Sequence, residues 1–422
     1  MANVRQHGRF AEKSNAYKPT AKVLTRGTHR SRSLARTIDR VSRLAPVMGI
    51  TRVANVTGLD EVGIPVVMVS RPNSRSVTVS QGKGIDLASA KASGLMEAAE
   101  LYHAETATLP LWLATYDEVR FKHKMADLVD LPRDTGSHFH PNLRILWCEG
   151  RDLLTGEEVF VPYEMVHTNY TIPLPDGHGC FTSSSNGLAS GNALVEAISQ
   201  GICELIERDA VTLWKVRKKK GPDRRRVDLK SVGDPLCRET IAKFQHAGLS
   251  VAAWDITSDI KIATFACLVL PLDDTAMWHC SMATGYGCHP AREVALLRAL
   301  TEAAQTRLTL ISGLRDDFRA DTYEQLLDSD VIKSKRKEVQ RSVPTRRFRD
   351  VPTRNEQIFE RDVDWELKCL KEAGFQRVVV IDLTRPEFGL PVVRVIVPGL
   401  EPIPGPGYSP GRRARLAIAG KA

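Results

Sequence analysis

The chain has 422 residues, 42% of them hydrophobic, enough to build a substantial core in one large or two ordinary domains and to exclude a disordered polymer. Its formal charge of +9 suggests an acidic partner, but eleven Lys and Arg against Glu12 and Asp39 place that whole excess in the first 45 residues. No apolar run reaches the roughly 18 residues of a membrane span and no apolar stretch marks a secretory signal, so a cytoplasmic protein with no membrane partner is expected. The eight cysteines contain no C-x-x-C, and His138, His140 and Cys148 meet no zinc spacing; reduced thiols are expected.

Residues 1–45 are basic, poor in aromatics and rich in small polar residues, and read as a flexible exposed arm. From Val47 the chain alternates strand-like and helix-like periods. Ile64–Val69 and Val77–Val79 read as strands, Leu87–Glu105 as a helix, and Val159–Val161 as a strand. Helical periodicity returns over 192–215 and 239–247, followed by a strand over 262–270 and a helix over 293–311. Strands over 378–383 and 392–397 precede a Pro-rich and basic tail, 401–422. The class is α/β, with a main domain over 46–400. Basic clusters at 215–226 and 333–349 read as surface loops, the first also complementing a helix carboxyl end.

Three of the helices repeat a pattern of acidic or amide residues three apart: Glu97 and Glu100, Glu204 and Glu207, Glu302 and Gln305. Residues at this spacing share a helix face. At about 100° per residue Glu196, Glu204 and Glu207 fall within roughly 80°, on a helix otherwise marked as packed by Ile198, Ile202, Leu205 and Ile206. Carboxylates beside a packed face need compensation, and a hard divalent cation supplies it. Any single pair is more often a solvated face; three occurrences, each with small residues close by, move the balance toward magnesium ions carrying a polyphosphate. Glycine-rich stretches precede each helix: Ser80-Gln-Gly82-Lys-Gly84, Ser183 to Asn192, and Gly285-Tyr-Gly287. They read as turns whose backbone can approach phosphate, with Lys83 adding a charge. Neither G-x-x-x-x-G-K-[ST] nor G-x-G-x-x-G occurs, which disfavours P-loop and Rossmann sites.

In order, RPNSRSVTVSQGKG (71–84) with AKASGLMEAAELYHAE (90–105), SNGLASGNALVEAISQGICELIERDA (185–210) and RALTEAAQTRLTLISGLRDD (298–317) resemble the YcaO family of ATP-dependent peptide-modifying enzymes. The resemblance covers roughly residues 46–400. It implies a YcaO-type α/β fold of mixed or antiparallel sheets flanked by acidic helices, with ATP and Mg2+ as cofactors. Carried over by motif, it implies metal-binding roles for Glu97, Glu100, Glu196, Glu204, Glu207 and Glu302. It implies ATP-binding roles for Lys83, Ser93, Ser185, Asn186, Asn192, Arg208, Gln305, Arg307 and Arg315, with Glu207 and Arg208 as the catalytic pair. Gly94 and Leu101 depart from the first motif, where the family has alanine and arginine.

The chemistry implied is activation of a peptide amide: after a nucleophile adds, the carbonyl oxygen accepts the γ-phosphoryl group and leaves as phosphate. Such a transfer depends chiefly on positioning and charge neutralisation. A side-chain nucleophile gives an azoline, an amine an amidine, and sulfide a thioamide. Pro402-Ile-Pro404-Gly-Pro406 has the P-x-P-x-P spacing of the cyclising branch, but further residues follow it. The RPNS–SQGKG stretch, ELYHAE and VPGLE resemble the branch working with the partner protein TfuA, linked to thioamide formation. A peptide or protein substrate and a TfuA-like partner are therefore expected, with a homodimer open and nucleic acid disfavoured. The alternatives are an azoline-forming cyclodehydratase and a non-catalytic nucleotide-binding accessory protein.

Overall fold

The structure, a computed structural model, describes residues 19–218, 225–272, 282–315 and 328–420. Residues 1–18 of the expected arm, the middle of the basic cluster at 215–226, Cys280, residues 316–317 of the last motif stretch and the final two residues of the tail lie outside the described residues. Helix α1 (Leu34–Leu44) precedes an antiparallel sheet of β1 (Arg52–Asn55), β2 (Val66–Ser70) and β3 (Val79–Lys83), which leads into α2 (Leu87–Glu105). Next come β4 (Trp112–Ala114), α3 (Tyr116–Arg120), β5 (Ile145–Asp152), β6 (Glu158–Pro162), β7 (Leu188–Ser190) and α4 (Leu194–Lys218). After β8 (Val227–Asp228) and α5 (Pro235–His246), a second antiparallel sheet, β9 (Leu249–Asp255), β10 (Thr264–Pro271) and β11 (Ala283–Cys288), leads into α6 (Arg292–Ser312). The last elements are α7 (Ser329–Arg341), β12 (Arg346–Arg347), α8 (Phe359–Glu372), β13 (Val379–Asp382), β14 (Val392–Ile396) and α9 (Arg412–Ala419).

A larger antiparallel sheet runs β4-β5-β13-β14-β7, with β6 also on β5, while β8 and β12 form a short parallel pair. No helix of the described residues is long and apolar enough to cross a membrane.

Each long acidic helix is wedged between two sheets. Val67 and Val69 of β2 meet Ala90 and Ala98 of α2, whereas Val66 and Met68, on the opposite face, meet Leu308 of α6. Phe265, Cys267 and Val269 of β10 pack on Leu296 and Leu300 of α6; Ala266, Leu268 and Leu270 pack on Ala210 and Val211 of α4. Val393 and Val395 of β14 then cover Ile198 and Ile202 on another face of α4, and the far side of the same sheet reaches Leu101 of α2. With each buried aliphatic side chain contributing about 1.5–3 kcal/mol, two sheet contacts fix each helix in rotation as well as position. Only one face of each helix is left, and it carries the carboxylates.

The glycine stretches are corrected by the structure. Ser80–Lys83 and Gly285–Gly287 lie in strands, not turns. A Cβ on Gly82 would come 2.0 Å from the Ala90 carbonyl oxygen, and Cβ atoms on Gly285 and Gly287 would come 2.2 and 2.1 Å from those of Ala299 and Ala295. These glycines let α2 and α6 lie directly on their preceding strands. Asp86 then starts α2 by accepting from the Ser89 N–H at 2.7 Å.

The expected exposed arm is corrected as well, for residues 19–45. Lys22 forms a buried ion pair with Asp362 of α8, N to O 2.5 Å. Helix α1 packs Val41 against Leu95 and Ala99 of α2. Composition predicts solvation here; specific tertiary partners override it. The tail also folds, ending in α9 against α4.

Candidate functional site

The free faces of α2, α4 and α6 enclose a cavity of about 610 Å³. Of the residues singled out from sequence, Lys83, Ser93, Glu97, Glu100, Ser185, Asn192, Glu196, Glu204, Glu207, Arg208, Glu302, Gln305 and Arg315 line it. Asn186 and Arg307 do not. Asn186 turns its carbonyl to Arg394 Nη1, 2.8 Å, at the back of the wall. Arg307 leaves α6 on the side away from the cavity and forms a buried pair with Asp60, Nε to Oδ2 2.7 Å. It is thus off the wall where a nucleotide contact was expected and anchors α6 to Asp60.

One rule orients the glutamates: each gives one oxygen to a backbone N–H of a neighbouring strand or loop. Glu97 accepts from Gln81 at 3.3 Å and Glu302 from Tyr286 at 3.1 Å, equivalent contacts in the two strand–helix units. Glu100 accepts from Ser190 N–H at 2.9 Å and its hydroxyl at 2.7 Å. Glu204 accepts from Gly187 at 3.3 Å and Glu207 from Cys288 at 3.0 Å. Strand positions thus set the carboxylates before any ligand arrives.

The second oxygens divide into two groups. Arg208 Nη2 donates to Glu204 Oε1 at 3.2 Å and Nη1 stands 3.6 Å from Glu207 Oε1; Lys83 pairs with Glu302. Those of Glu97 and Glu100 have no hydrogen-bond partner among the described residues. The electrostatics follow. Burial drives the Glu97 carboxyl up to about 7, against the opposing charges of Arg315 and Lys83. Burial, with the Glu97 charge adding, drives Glu100 up to about 8. Burial also raises Glu207, whereas at Glu302 it is outweighed by Lys83 and Arg208, which hold that carboxyl low. Burial opposes the Arg208 cation, but Glu207, Glu204 and Glu302 more than compensate.

The walls also hold buried donors that have no partner among the described residues: Gln81 Nε2, Thr168 Oγ1 and Arg208 Nε. Thr309 fixes the Gln81 amide oxygen at 2.7 Å, so the Gln81 NH2 group is left for a ligand. An unmet buried donor costs roughly 1–3 kcal/mol, which phosphate oxygens would recover. Among the described residues no three His, Cys, Asp or Glu side chains converge tightly enough to hold an ion by themselves. That suits magnesium, which takes one or two carboxylates and completes its shell with water and phosphate. The residues present therefore fit a magnesium–polyphosphate ligand.

Several wall residues were not evident from sequence. Arg26, Gly27, Thr28, Arg30, Leu34 and Thr37 close one side of the cavity. Both oxygens of Glu196 are engaged there: Ser31 donates through N–H at 3.0 Å and hydroxyl at 2.5 Å to Oε2, and Asn192 Nδ2 at 3.4 Å to Oε1. The signal was the spacing Leu34, Ile38, Val41, Leu44, an amphipathic helix inside the basic stretch. Arg394, fully buried with no acidic side chain on its guanidinium among the described residues, ties Val166 to Asn186 through their carbonyl oxygens. An arginine amid the valines of a strand is the only hint.

Glutamates on three wedged helices and unmet donors facing one cavity define an enzyme that works on a nucleotide polyphosphate with a divalent cation. The family model described as YcaO cyclodehydratase, ATP- and Mg2+-binding, matches residues 81–401, and the chain belongs to the YcaO family. It is an ATP- and Mg2+-dependent enzyme that modifies peptide backbone amides. Among its relatives, a Rhizobium leguminosarum bv. trifolii protein described as lying in the tfuA 3′ region is 38% identical over 387 residues, 88% of this chain and 89% of that one. A Methanothermobacter thermautotrophicus protein is 35% identical over 382 residues, 88% and 95% of the two chains. Of solved structures, a heterocyclase in complex with substrate and cofactor superposes with a TM-score of 0.75 at 25% identity, over 91% of this chain; the chain spans about half, 54%, of that protein's length. YcaO from Methanopyrus kandleri, bound with AMPPCP and Mg2+, shares the fold with a TM-score of 0.70 at 22% identity, over 90% and 95%.

Proposed function

We propose that this enzyme replaces the oxygen of a peptide backbone amide by sulfur, working with a TfuA-like partner protein. The observation that carries the sulfur assignment is the 38% identical relative from a tfuA 3′ region, whose likeness runs over 88% of the chain. The stretches RPNS–SQGKG, ELYHAE and VPGLE support the same branch.

Sulfide adds to the amide carbon, and the resulting oxyanion takes the γ-phosphoryl group of ATP, releasing ADP. Collapse of the adduct expels phosphate, the sulfhydryl proton leaves with it, and a thioamide remains. Glu97 and Glu100, whose second oxygens are unengaged, are the side chains that would hold magnesium, with Glu204, Glu207 and Glu302 beside them. Bound there, the ion would offset the negative charge of the phosphates. Arg208 and Lys83 exchange glutamate for phosphate, so the negative charge of the transferring group meets cations already in place. Gln81, Thr168 and Arg208 Nε orient the polyphosphate through donors that have no other partner among the described residues.

A second reading, cyclisation by a substrate side chain, is favoured by the likeness to the heterocyclase. Against it, none of the described residues of the tail, Pro402, Pro404 and Pro406 included, is on the cavity wall. Mass analysis decides between them after incubation with ATP, Mg2+, sulfide, a TfuA-like protein and candidate peptides. A gain equal to the difference between sulfur and oxygen is expected. Loss of one water with no sulfur gained would overturn the thioamide assignment.

A further inference from the structure

Helix α4 carries Arg208 on the cavity and Asp209, the next residue and about 100° further round, off it. Asp209 is fully buried, and the C-terminal segment holds it. Arg413 donates through Nε to Oδ1 and through Nη2 to Oδ2, both at 2.9 Å, and the Glu401 N–H donates to Oδ1 at 3.1 Å. One turn on, Thr212 donates its hydroxyl to the Pro402 carbonyl at 2.7 Å. The segment is also closed on itself. Glu401 accepts from the N–H groups of Gly411 at 3.0 Å and Ala414 at 2.8 Å and from the Tyr408 hydroxyl at 2.9 Å, which caps α9 and fixes the turn bearing Arg413. Residues 401–414 therefore form a clasp on the back of α4.

None of the described clasp residues reaches the cavity, so its influence must pass through the helix. Toward its N-terminal side, α4 is held by the bonds of Glu204 to Gly187 and Glu207 to Cys288. Beyond Arg208, Asp209 and Thr212 are both held by the clasp. A planar guanidinium binds phosphate through a fixed fork, so a small rotation of its helix misdirects the donors. We propose that Arg413 is a positioning residue for the nucleotide site: by gripping Asp209 from behind, it fixes the rotation of α4 that presents Arg208 to the polyphosphate. This rests on the assignment of Arg208 as a phosphate ligand.

The test is binding of AMPPCP with Mg2+ by the full chain, in a cycle that crosses the clasp with Arg208. The double variant Asp209→Asn/Arg413→Met removes both charges together and leaves no buried ion unpaired; its affinity should fall about tenfold. In an Arg208→Met background the same pair of changes should cost nothing further. Arg413→Lys, which keeps the charge but not the fork, should fall between wild type and the double variant. Asp259 pairs with the outer side of Arg413 at 3.0 Å from a half-exposed position, and Asp259→Asn should leave affinity unchanged. Equal losses in the wild-type and Arg208→Met backgrounds, or no loss, would overturn the proposal while leaving the Arg208 assignment standing. A silent Arg208→Met would overturn both. Failure of both Arg413→Lys and the double variant to fold, judged by circular dichroism, would assign the clasp to stability and likewise overturn it.

Discussion

The hydroxyl of Ser31 donates to Glu196 Oε2 at 2.5 Å, so a residue of the basic N-terminal stretch sits on a carboxylate of the central acidic helix. The contact closes one wall of the nucleotide cavity, together with the Thr37 hydroxyl on Asn192 Oδ1 at 2.8 Å. A hydrogen bond to a charged group is worth about 1.5–3 kcal/mol. Ser31→Ala is accordingly expected to weaken ATP binding by about tenfold or more while the far-ultraviolet spectrum stays native. Calorimetric titration with AMPPCP and Mg2+ measures it; unchanged affinity would detach the segment from the site.

Glu207 is predicted to be essential for turnover and dispensable for folding. Its Oε2 accepts from the Cys288 N–H, a bond that the amide oxygen of Gln retains, whereas the charge facing Arg208 is lost. In Glu207→Gln, ATP hydrolysis should fall by about a hundredfold or more, the scale of removing a single electrostatic element from a catalytic site. Phosphate release is the readout, and wild-type rates would remove Glu207 from the site.

Loading the site should release protons. With Glu97 held near 7 and Glu100 near 8 by burial, both carboxyls are partly protonated at neutral pH before a cation arrives. A bound cation needs them ionised, so apparent Mg2+–ATP affinity rises as pH increases from about 6 to about 9 and levels off above it. Titrations in buffers of different ionisation enthalpy report the proton count. Glu100→Gln should lower that count; an unchanged count would mean that Glu100 is already ionised in the free enzyme.

The periodicity of Leu87–Glu105 predicts α2 as the structure has it, and α4, α6, β10, β13 and β14 fall within a few residues of their expected spans. Helices of this length carry their signal locally. What sequence does not carry is which faces are covered: Gly82, Gly285 and Gly287 look like turn residues until helices are seen lying on them. Residues 19–45 look like a solvated arm because Lys22, Ser31 and Thr37 find their partners in residues more than a hundred positions away. The carboxylates were legible because charge on a packed helix demands a reason; Gln81, Thr168 and Arg394 were not, since each acquires its role only from the walls around it.

Arg307 illustrates the limit of motif transfer and yields a separate expectation. Its guanidinium is paired with Asp60 where both side chains are almost fully buried. Removing one member of such a pair typically costs 3–5 kcal/mol, since the other is left buried and charged. Arg307→Met should therefore lower the unfolding free energy obtained from urea titration by roughly that amount, with AMPPCP affinity of the folded fraction close to wild type. A selective loss of nucleotide affinity at unchanged stability would return Arg307 to the site.

A final expectation concerns Glu366 of α8, buried against the back of α4. Ser199 donates to its Oε1 at 2.7 Å and the Cys203 thiol at 3.4 Å, while Oε2 has no partner among the described residues. Burial pushes this carboxyl up to about 8, the Asp362 charge adding to the shift and the Ser199 and Cys203 bonds, with Lys22 nearby, opposing it. In the unfolded chain it titrates near the ordinary value of 4.5, so between about 4.5 and 8 the folded state keeps a proton that the unfolded state has released. The stabilisation from this group is therefore present at low pH and lost as pH rises through about 8, at up to about 1.4 kcal/mol per pH unit. Glu366→Gln copies the neutral form and does not titrate. Urea midpoints at about pH 5 and about pH 8 should fall further apart for the wild type than for Glu366→Gln, and equal differences would mean that Glu366 is ionised in the fold.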